Sequence, residues 1–301
     1  MSARIERVAW GGWPNCYRLS NGDVELIATS DVGPRILHYA YAGGPNLLLE
    51  LRDQFGASGE REFRPRGGHR LWTAPEVFPR TYEADNAAVE AQVQASILTL
   101  TAPVESCGVR KQMRIRLAHV GPAVQVVHRI ENALAWPISV SAWALTMMAP
   151  GGVGITAFPP RVTHPEVLPP THPLVMWAFS DLSDPRWTFT RKYMILRQDP
   201  AIPEPTKLGH FNEKTWGAYL LGSHVFIKRY DAIPGAPYPD FGACYETFAN
   251  GTTLELETLG PLTSLEPGAA LEHTESWSLH RDVSLGSFTD KAIDEAILPL
   301  V

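Results

Sequence analysis

The sequence lacks most of the features that mark secreted, membrane-spanning or nucleic-acid-binding proteins. Its 301 residues include only three cysteines, too few and too scattered for a disulfide framework or a zinc site. No apolar run approaches the roughly 18 residues of a membrane helix, and no apolar leader follows Met1. A net charge of −6 disfavours nucleic acid and anionic membranes as partners. We therefore expect a cytoplasmic protein that binds neither; its oligomeric state stays open.

The motifs of several common enzyme classes are also missing. The sequence contains no G-x-S-x-G, no H-E-x-x-H and no glycine-rich phosphate loop. These absences remove support for a serine hydrolase, a zinc peptidase or a nucleotide-binding enzyme. We expect no cofactor.

What the sequence does contain is a long series of short extended runs separated by glycine and proline turns. A hairpin is predicted over residues 15–29 and a meander over residues 86–148, where apolar and polar residues alternate as in half-buried antiparallel strands. About fifteen such runs, with no βαβ pattern, predict an all-β fold. We expect residues 1–301 to form a single domain, a large antiparallel β-sandwich with one short C-terminal helix capped by Thr289.

The segment 243–261 carries the clearest candidate for chemistry. Its two extended runs are joined by Asn250-Gly251, which predicts a hairpin with a type I′ turn. In the second run, leucines alternate with Glu255 and Glu257, so the two carboxylates share one strand face roughly 7 Å apart. Such a pair can present a base to a polyhydroxylated ligand. It is equally typical of a solvated outer face.

A second candidate follows a long loop without periodicity, residues 51–68. After a glycine pair come His69, Arg70 and Trp72, and then Glu76. Arginine offers a planar cationic fork, tryptophan a stacking surface, and histidine a group that titrates near neutral pH. The alternative is a loop that is only anchored by its tryptophan.

Further polar residues could join these two segments. Tyr238 and Asp240 lie in a loop close to Glu246, and with Glu255 and Glu257 they bring four carboxylates into a short stretch. Hard cations prefer oxygen ligands, but the spacing matches no metal loop, so no metal is predicted.

Two other polar groups have an open role. His273 and Glu275 share a strand face with apolar residues and predict either a hydrogen-bonded pair or a catalytic dyad, with the pair favoured. Lys207, His210 and Lys214 lie in a polar stretch, and their direction is open.

Several short motifs, taken in order, carry a family resemblance. Gly33-Pro-Arg-Ile36, Leu145–Gly152, Leu254–Pro261 and Leu265-Glu-Pro-Gly268 resemble the galactose mutarotase-like superfamily, in particular a poorly characterised bacterial branch of aldose-epimerase-like proteins. The resemblance implies a β-supersandwich whose concave face binds a small carbohydrate.

The resemblance also implies roles. Glu257 matches the glutamate that takes the anomeric proton, whereas the family's acid, a histidine on the middle strand, is replaced here by Thr146–Ala149. The expectation is an epimerase-like isomerase with Glu257 as base and His69 as candidate acid. Binding residues are expected to be Arg70, Trp72, Glu76, Tyr238, Asp240, Glu246 and Glu255. The alternatives are a non-catalytic carbohydrate-binding protein, and a lyase or hydrolase that reuses the cleft.

Overall fold

The structure is a computed structural model that describes residues 3–301 and consists of two large antiparallel sheets. The strands, in chain order, are β1 (Arg4–Trp10), β2 (Trp13–Ser20), β3 (Val24–Thr29), β4 (Arg35–Tyr41), β5 (His69–Ala74), β6 (Glu90–Gln94), β7 (Ile97–Val104), β8 (Val109–Leu117), β9 (Val124–Asn132), β10 (Ile138–Met148), β11 (Val153–Ala157), β12 (Leu174–Met176), β13 (Trp187–Phe189), β14 (Tyr193–Arg197), β15 (Thr206–His210), β16 (Trp216–Leu221), β17 (His224–Tyr230), β18 (Tyr245–Ala249), β19 (Leu254–Leu259), β20 (Thr263–Leu265) and β21 (Ala270–His280).

The first sheet has eleven strands in the order β1-β2-β3-β4-β5-β10-β19-β18-β15-β12, with β20 paired to one end of β10. The second has ten, in the order β13-β14-β11-β16-β17-β21-β9-β8-β7-β6. The predicted all-β antiparallel sandwich is therefore confirmed. The central strands of the first sheet, β5, β10, β19, β18 and β15, carry the site described below.

Short helices complete the chain. They are the α-helix Asp290–Ala296, the helical turn Pro239–Gly242 and the 3-10 turns Arg52–Gln54, Arg80–Tyr82 and Leu298–Leu300. The C-terminal helix begins as predicted, because the Thr289 side chain accepts a hydrogen bond from the Ala292 amide. No helix among residues 3–301 is long and apolar enough to cross a bilayer.

The main core lies between the two sheets and is built on aromatic rings. Trp277 of β21 lies with its ring centroid 6.0 Å from Tyr39 and 5.4 Å from Phe226, and all three side chains are buried. Tilted and edge-on contacts at these distances are favourable for aromatic pairs. Burial of these rings and of the surrounding leucines drives the two sheets together.

The β18–β19 hairpin forms as predicted, but its turn does not. Ala249 pairs with Leu254, so four residues rather than two connect the strands. The Asn250 side chain accepts hydrogen bonds from the amides of Thr252 and Thr253, at 2.8 and 3.1 Å. Gly251 is not among the glycines with positive φ, so the type I′ prediction is wrong. The asparagine closes the loop through its side chain instead.

The segment 157–206 belongs to both sheets. It supplies the edge strand β12 to the first sheet and then β13 and β14 to the second. Between β12 and β13 it places Trp177 and Phe179 over the outer face of the first sheet, where they form one wall of a cavity.

Candidate functional site

The site lies on the face of the first sheet that points away from the second sheet. Because side chains alternate along a strand, residues in register on neighbouring strands form rows on one face. One row runs through Arg70, Leu145, Glu257 and Glu246, on β5, β10, β19 and β18. The cavity over these rows has a volume of about 330 Å³, within the range of small-molecule sites.

The cavity has aromatic walls and a charged floor. Its aromatic lining consists of Trp72, Tyr82, Trp143, Trp177, Phe179 and Phe248. Its charged lining consists of Arg70, Glu76, Lys207, Glu255 and Glu257. Flat apolar surfaces beside fixed hydrogen-bonding groups suit a ligand that has both apolar faces and polar edges.

Glu257 is buried at the floor of the cavity and is held through one oxygen. Its Oε2 accepts hydrogen bonds from Trp143 Nε1 and from Lys207 Nζ, both at 2.8 Å. Its side chain is only 1% exposed, which rules out the solvated-face alternative for this residue. Its Oε1 has no hydrogen-bond partner in the described part of the chain. The carboxylate is therefore held in one orientation, while its second oxygen can still accept a hydrogen bond or a proton.

Lys207 is the cation at the centre of this cluster. Its Nζ lies 2.7 Å from Glu246 and 2.8 Å from Glu257, and it lies 4.6 Å and 4.5 Å from the ring centroids of Trp143 and Trp177. Burial alone would lower the lysine pKa, but the two carboxylates outweigh it and raise the pKa above its usual value. Lys207 therefore stays charged, and its ammonium contacts two indole rings and two carboxylates.

Glu246 lies behind Lys207 and is fully buried. Its register partner on β19 is Glu257, so two carboxylates face each other across the strands. Burial first, and then the charges of Glu257 and Asp240, raise the pKa of Glu246 well above its usual range, against the opposing effect of Lys207. Burial likewise raises the pKa of Asp240. The cluster therefore carries more acidic groups than its cation can neutralise.

A second ion pair forms the other side of the floor. Arg70 Nη2 lies 3.3 Å from Glu255 Oε2, and the guanidinium stacks 4.4 Å from the centroid of Trp72. Burial raises the pKa of Glu255, and nearby Glu257 raises it further, although Arg70 acts in the opposite direction. Glu255 Oε1 has no hydrogen-bond partner among residues 3–301.

His69 does not lie in this cavity, and the expectation that it faces Glu257 is wrong. It precedes Arg70 on β5, so its side chain points to the opposite face and is fully buried between the sheets. His69 Nε2 lies 2.7 Å from His128 Nε2, and His69 Nδ1 lies 2.8 Å from Thr146 Oγ1.

The hydrogen bonds of this interior group fix its tautomers. His128 Nδ1–H donates to the carbonyl of His273 at 3.0 Å, so His128 Nε2 accepts from His69 Nε2–H. Burial lowers the pKa of both His69 and His128, which keeps the two rings neutral. His273 and Glu275 do not hydrogen-bond to each other as the favoured alternative predicted: both are buried, and the Thr258 hydroxyl bridges them, donating to Glu275 Oε1 and accepting from His273 Nε2–H.

His69, His128 and Glu275 are the candidate metal-binding group found among the described residues, with potential ligand atoms within 4.8 Å of one another. The two rings are already hydrogen-bonded to each other. Glu275 accepts from Trp277 Nε1 at 2.8 Å and pairs with Lys228 at 2.8 Å. The Lys228 ammonium supplies the positive charge in this cluster, so the donor set does not favour a metal ion.

The remaining predicted residues divide between the cavity and its surroundings. Glu76 is exposed at the rim and accepts a hydrogen bond from the Tyr82 hydroxyl. Asp240 lies beside Glu246, outside the lining. Tyr238 is not at the site: its hydroxyl accepts from the Ile233 amide and its ring packs on Phe211. The residues that sequence reasoning did not assign are Trp143, Trp177, Phe179, Phe248, Tyr82 and the central cation Lys207.

A larger groove of about 590 Å³ lies beside the C-terminal helix, between Phe158, Tyr193 and Leu298. Lys192 pairs there with Asp294 at 2.5 Å, whereas Arg161, Arg191 and Lys214 form no ion pair among the described residues. Its polar groups therefore do not converge on one point. The smaller cavity, with its convergent carboxylates, is the better candidate.

Solved structures with the same architecture exist, although the sequence matches no family model and no curated protein. A protein from Synechocystis sp. PCC 6803 superposes with a TM-score of 0.59 at 12% identity, covering 92% of this chain and 99% of its own. A galactose mutarotase-like protein from Lactobacillus casei ATCC 334 superposes with a TM-score of 0.55 at 11% identity, covering 88% of this chain and 100% of its own. A galactose mutarotase related enzyme from Lactobacillus acidophilus superposes with a TM-score of 0.54 at 8% identity, covering 89% of this chain and 98% of its own. The fold predicted from the motifs, galactose mutarotase-like, is confirmed.

Proposed function

We propose that this protein binds a sugar in the aromatic-walled cavity and catalyses a proton transfer on it, as an epimerase-like isomerase, with Glu257 as the base. The observation that carries the proposal is the state of Glu257: one oxygen is fixed by Trp143 and Lys207, and the other is left free beside the cavity. A base must be oriented and must also keep a lone pair for the proton it takes. The names of the similar structures agree with a sugar as ligand.

Lys207 has a second role in this proposal. Taking a proton from a sugar hydroxyl leaves negative charge on its oxygen, and a fixed cation next to the base stabilises that charge. The raised pKa of Lys207 makes it an electrostatic partner rather than a proton donor. Among residues 3–301, histidine is absent from the cavity lining, so the acid of the aldose epimerases has no counterpart there. In this proposal the proton that the ring oxygen takes up as the ring opens therefore comes from water, while Glu257 takes the proton of the anomeric hydroxyl.

The second candidate is a non-catalytic sugar-binding protein. The hydrogen bonds that orient Glu257 occupy one of its two oxygens, and no histidine acid lines the cavity among the described residues. A protein that held the sugar without turning it over would show the same walls and floor.

Glu257→Gln separates the two candidates. Saturation-transfer NMR against a panel of aldoses, uronic acids and glycosides first identifies a ligand, and exchange between its anomers or epimers is then followed by NMR. The amide can still accept from Trp143, so we expect affinity within about threefold of the wild type and a loss of turnover of about a hundredfold or more.

The matched control is Glu90→Gln, the same chemical change on an exposed position of β6 in the second sheet. It is expected to leave affinity and turnover unchanged. If Glu257→Gln keeps wild-type turnover, or if no wild-type turnover is found on any bound sugar, the catalytic proposal fails and the binding protein remains. If no sugar binds, both candidates fail.

A further inference from the structure

The cavity has an excess of acidic groups. Around it lie five carboxyls, Glu76, Glu246, Glu255, Glu257 and Asp240, and two cations, Arg70 and Lys207. When all are ionised, the cluster carries three negative charges more than positive ones. Like charges held in a buried site raise each other's free energy, because water screens them poorly there. Burial first, and then the neighbouring carboxylates, raise the pKa values of Glu246, Glu255 and Asp240.

Each cation already has a carboxylate partner, although Arg70 Nε and Nη1 have no hydrogen-bond partner among residues 3–301. Lys207 holds two carboxylates at 2.7 and 2.8 Å, and Arg70 holds Glu255 at 3.3 Å. A uronate or sugar phosphate would add negative charge to a cluster that already holds more acidic groups than cations, and only the two remaining donors of Arg70 are left to receive it. A neutral sugar oxygen can use the same donors without that added charge.

The cavity already shows how it accommodates an ammonium group. Lys207 Nζ lies between the Trp143 and Trp177 rings and between two carboxylates. The free oxygen of Glu255 lies on the same floor as the rings of Trp72 and Trp143, whose centroids are 5.4 Å apart. A second ammonium group in the cavity would meet the same combination of carboxylate and aromatic faces.

We propose that the sugar bound in this cavity carries a protonated amine, that is, that the ligand is an amino sugar. The inference rests on the proposed function, because it names the class of sugar for the same site. The amine would supply the positive charge that the acidic cluster lacks, and the ring would pack against the tryptophans.

The test compares three sugars of one configuration at pH 6, where the amine is protonated: glucosamine, glucose and glucuronate, and then the galactose series. Affinities are measured by calorimetry or NMR titration on the full chain. We expect the amino sugar of at least one series to bind about tenfold or more tightly than the neutral sugar, and the uronate to bind most weakly.

Two variants test the origin of this preference. Glu76→Gln removes a rim charge from an exposed residue, so the fold is retained, and it should weaken amino-sugar binding about threefold or more while neutral-sugar binding changes less than twofold. Glu90→Gln changes the net charge equally, away from the cavity, and should change neither affinity.

Each outcome decides the question. Tighter binding of the neutral sugar or the uronate overturns the amino-sugar inference and leaves the sugar-binding proposal standing. An amino-sugar preference that Glu90→Gln reduces as much as Glu76→Gln also overturns it, because the preference then reflects the protein's net charge. If no sugar of either series binds, the inference fails, and the wider panel of aldoses, uronic acids and glycosides decides the proposed function.

Discussion

Replacing Lys207 by methionine tests the electrostatic arrangement of the site most directly. The change keeps the length and much of the volume of the side chain but removes the ammonium from between Glu246 and Glu257. Both carboxylates are buried, with side chains no more than 1% exposed. Breaking a buried ion pair by removing one partner costs about 3–5 kcal/mol, because the other charge is left without compensation.

We expect Lys207→Met to lower the free energy of unfolding at pH 7 by about 3–5 kcal/mol. Urea unfolding followed by tryptophan fluorescence measures this loss, since nine tryptophans report on the fold. The matched control is Lys192→Met. Lys192 pairs with Asp294 at the surface, where its side chain is 56% exposed, and such pairs contribute at most about 1 kcal/mol.

The pH dependence of the stability that Lys207→Met loses gives a second measurement. Glu246 already has a raised pKa, and without Lys207 its pKa rises further because the opposing effect of the cation is gone. A carboxyl whose pKa is raised on folding destabilises the protein at high pH, and the destabilisation disappears as pH falls and the folded state takes up the proton. The deficit of Lys207→Met should therefore shrink between pH 7 and pH 5. If this variant loses no more than Lys192→Met, or if its deficit grows on acidification, the buried cluster described here is wrong.

Two further predictions concern the interior of the sandwich. Burial lowers the pKa of His210 and His273 to about 3, so below pH 6.5 the unfolded state binds more protons than the folded state. The free energy of unfolding should therefore fall by about 1.4 kcal/mol per pH unit for each histidine as pH drops from 6.5 towards 3. A urea midpoint that does not change between pH 7 and pH 4.5 would contradict this. Gly217→Ala should destabilise the fold by about 1–3 kcal/mol, because a Cβ there would lie 2.5 Å from the Tyr245 hydroxyl. Gly286→Ala, which meets no atom within 4 Å, is its control, and equal melting temperatures for the two variants would refute the expected clash.

The strands and the position of Glu257 could be predicted because they depend on local patterns. A period of two along residues 254–259 puts the leucines and the glutamates on opposite faces, whatever the rest of the chain does. What the pattern did not decide was which face is solvated. Both are buried here: the leucines in the core, and the glutamates under Lys207 and the aromatic walls.

The same rule explains why His69 was misplaced. Neighbours along a strand point to opposite faces, so His69 and Arg70 on β5 cannot both line one cavity. Every side chain of β5 is buried, and each face carries both polar and apolar residues, so composition does not show which residue is inside. The period of two, applied strictly, would have separated the histidine from the arginine.

The site residues that the sequence did not reveal are brought to the cavity by pairing between strands that are distant in the chain. Lys207 and Trp177 lie in a proline-rich segment without clear periodicity, and only the pairing of β15 with β18 brings the lysine beside Glu246 and Glu257. Trp143 lies in an apolar strand where nothing local distinguishes it from a core residue. Such positions depend on contacts between distant parts of the chain, which no short window of sequence contains.

The residues that line the cavity are spread over much of the chain, and this has a consequence for the reassembly of a cut chain. Its lining begins at Arg70 and ends at Glu257, with contributions from β5, β10, β15, β18 and β19. A single backbone cut anywhere between these two residues leaves each fragment with only part of the floor. The proposed sugar binding would then be recovered only when both fragments reassociate, and occupancy of the cavity would report that its strands of the first sheet have come together.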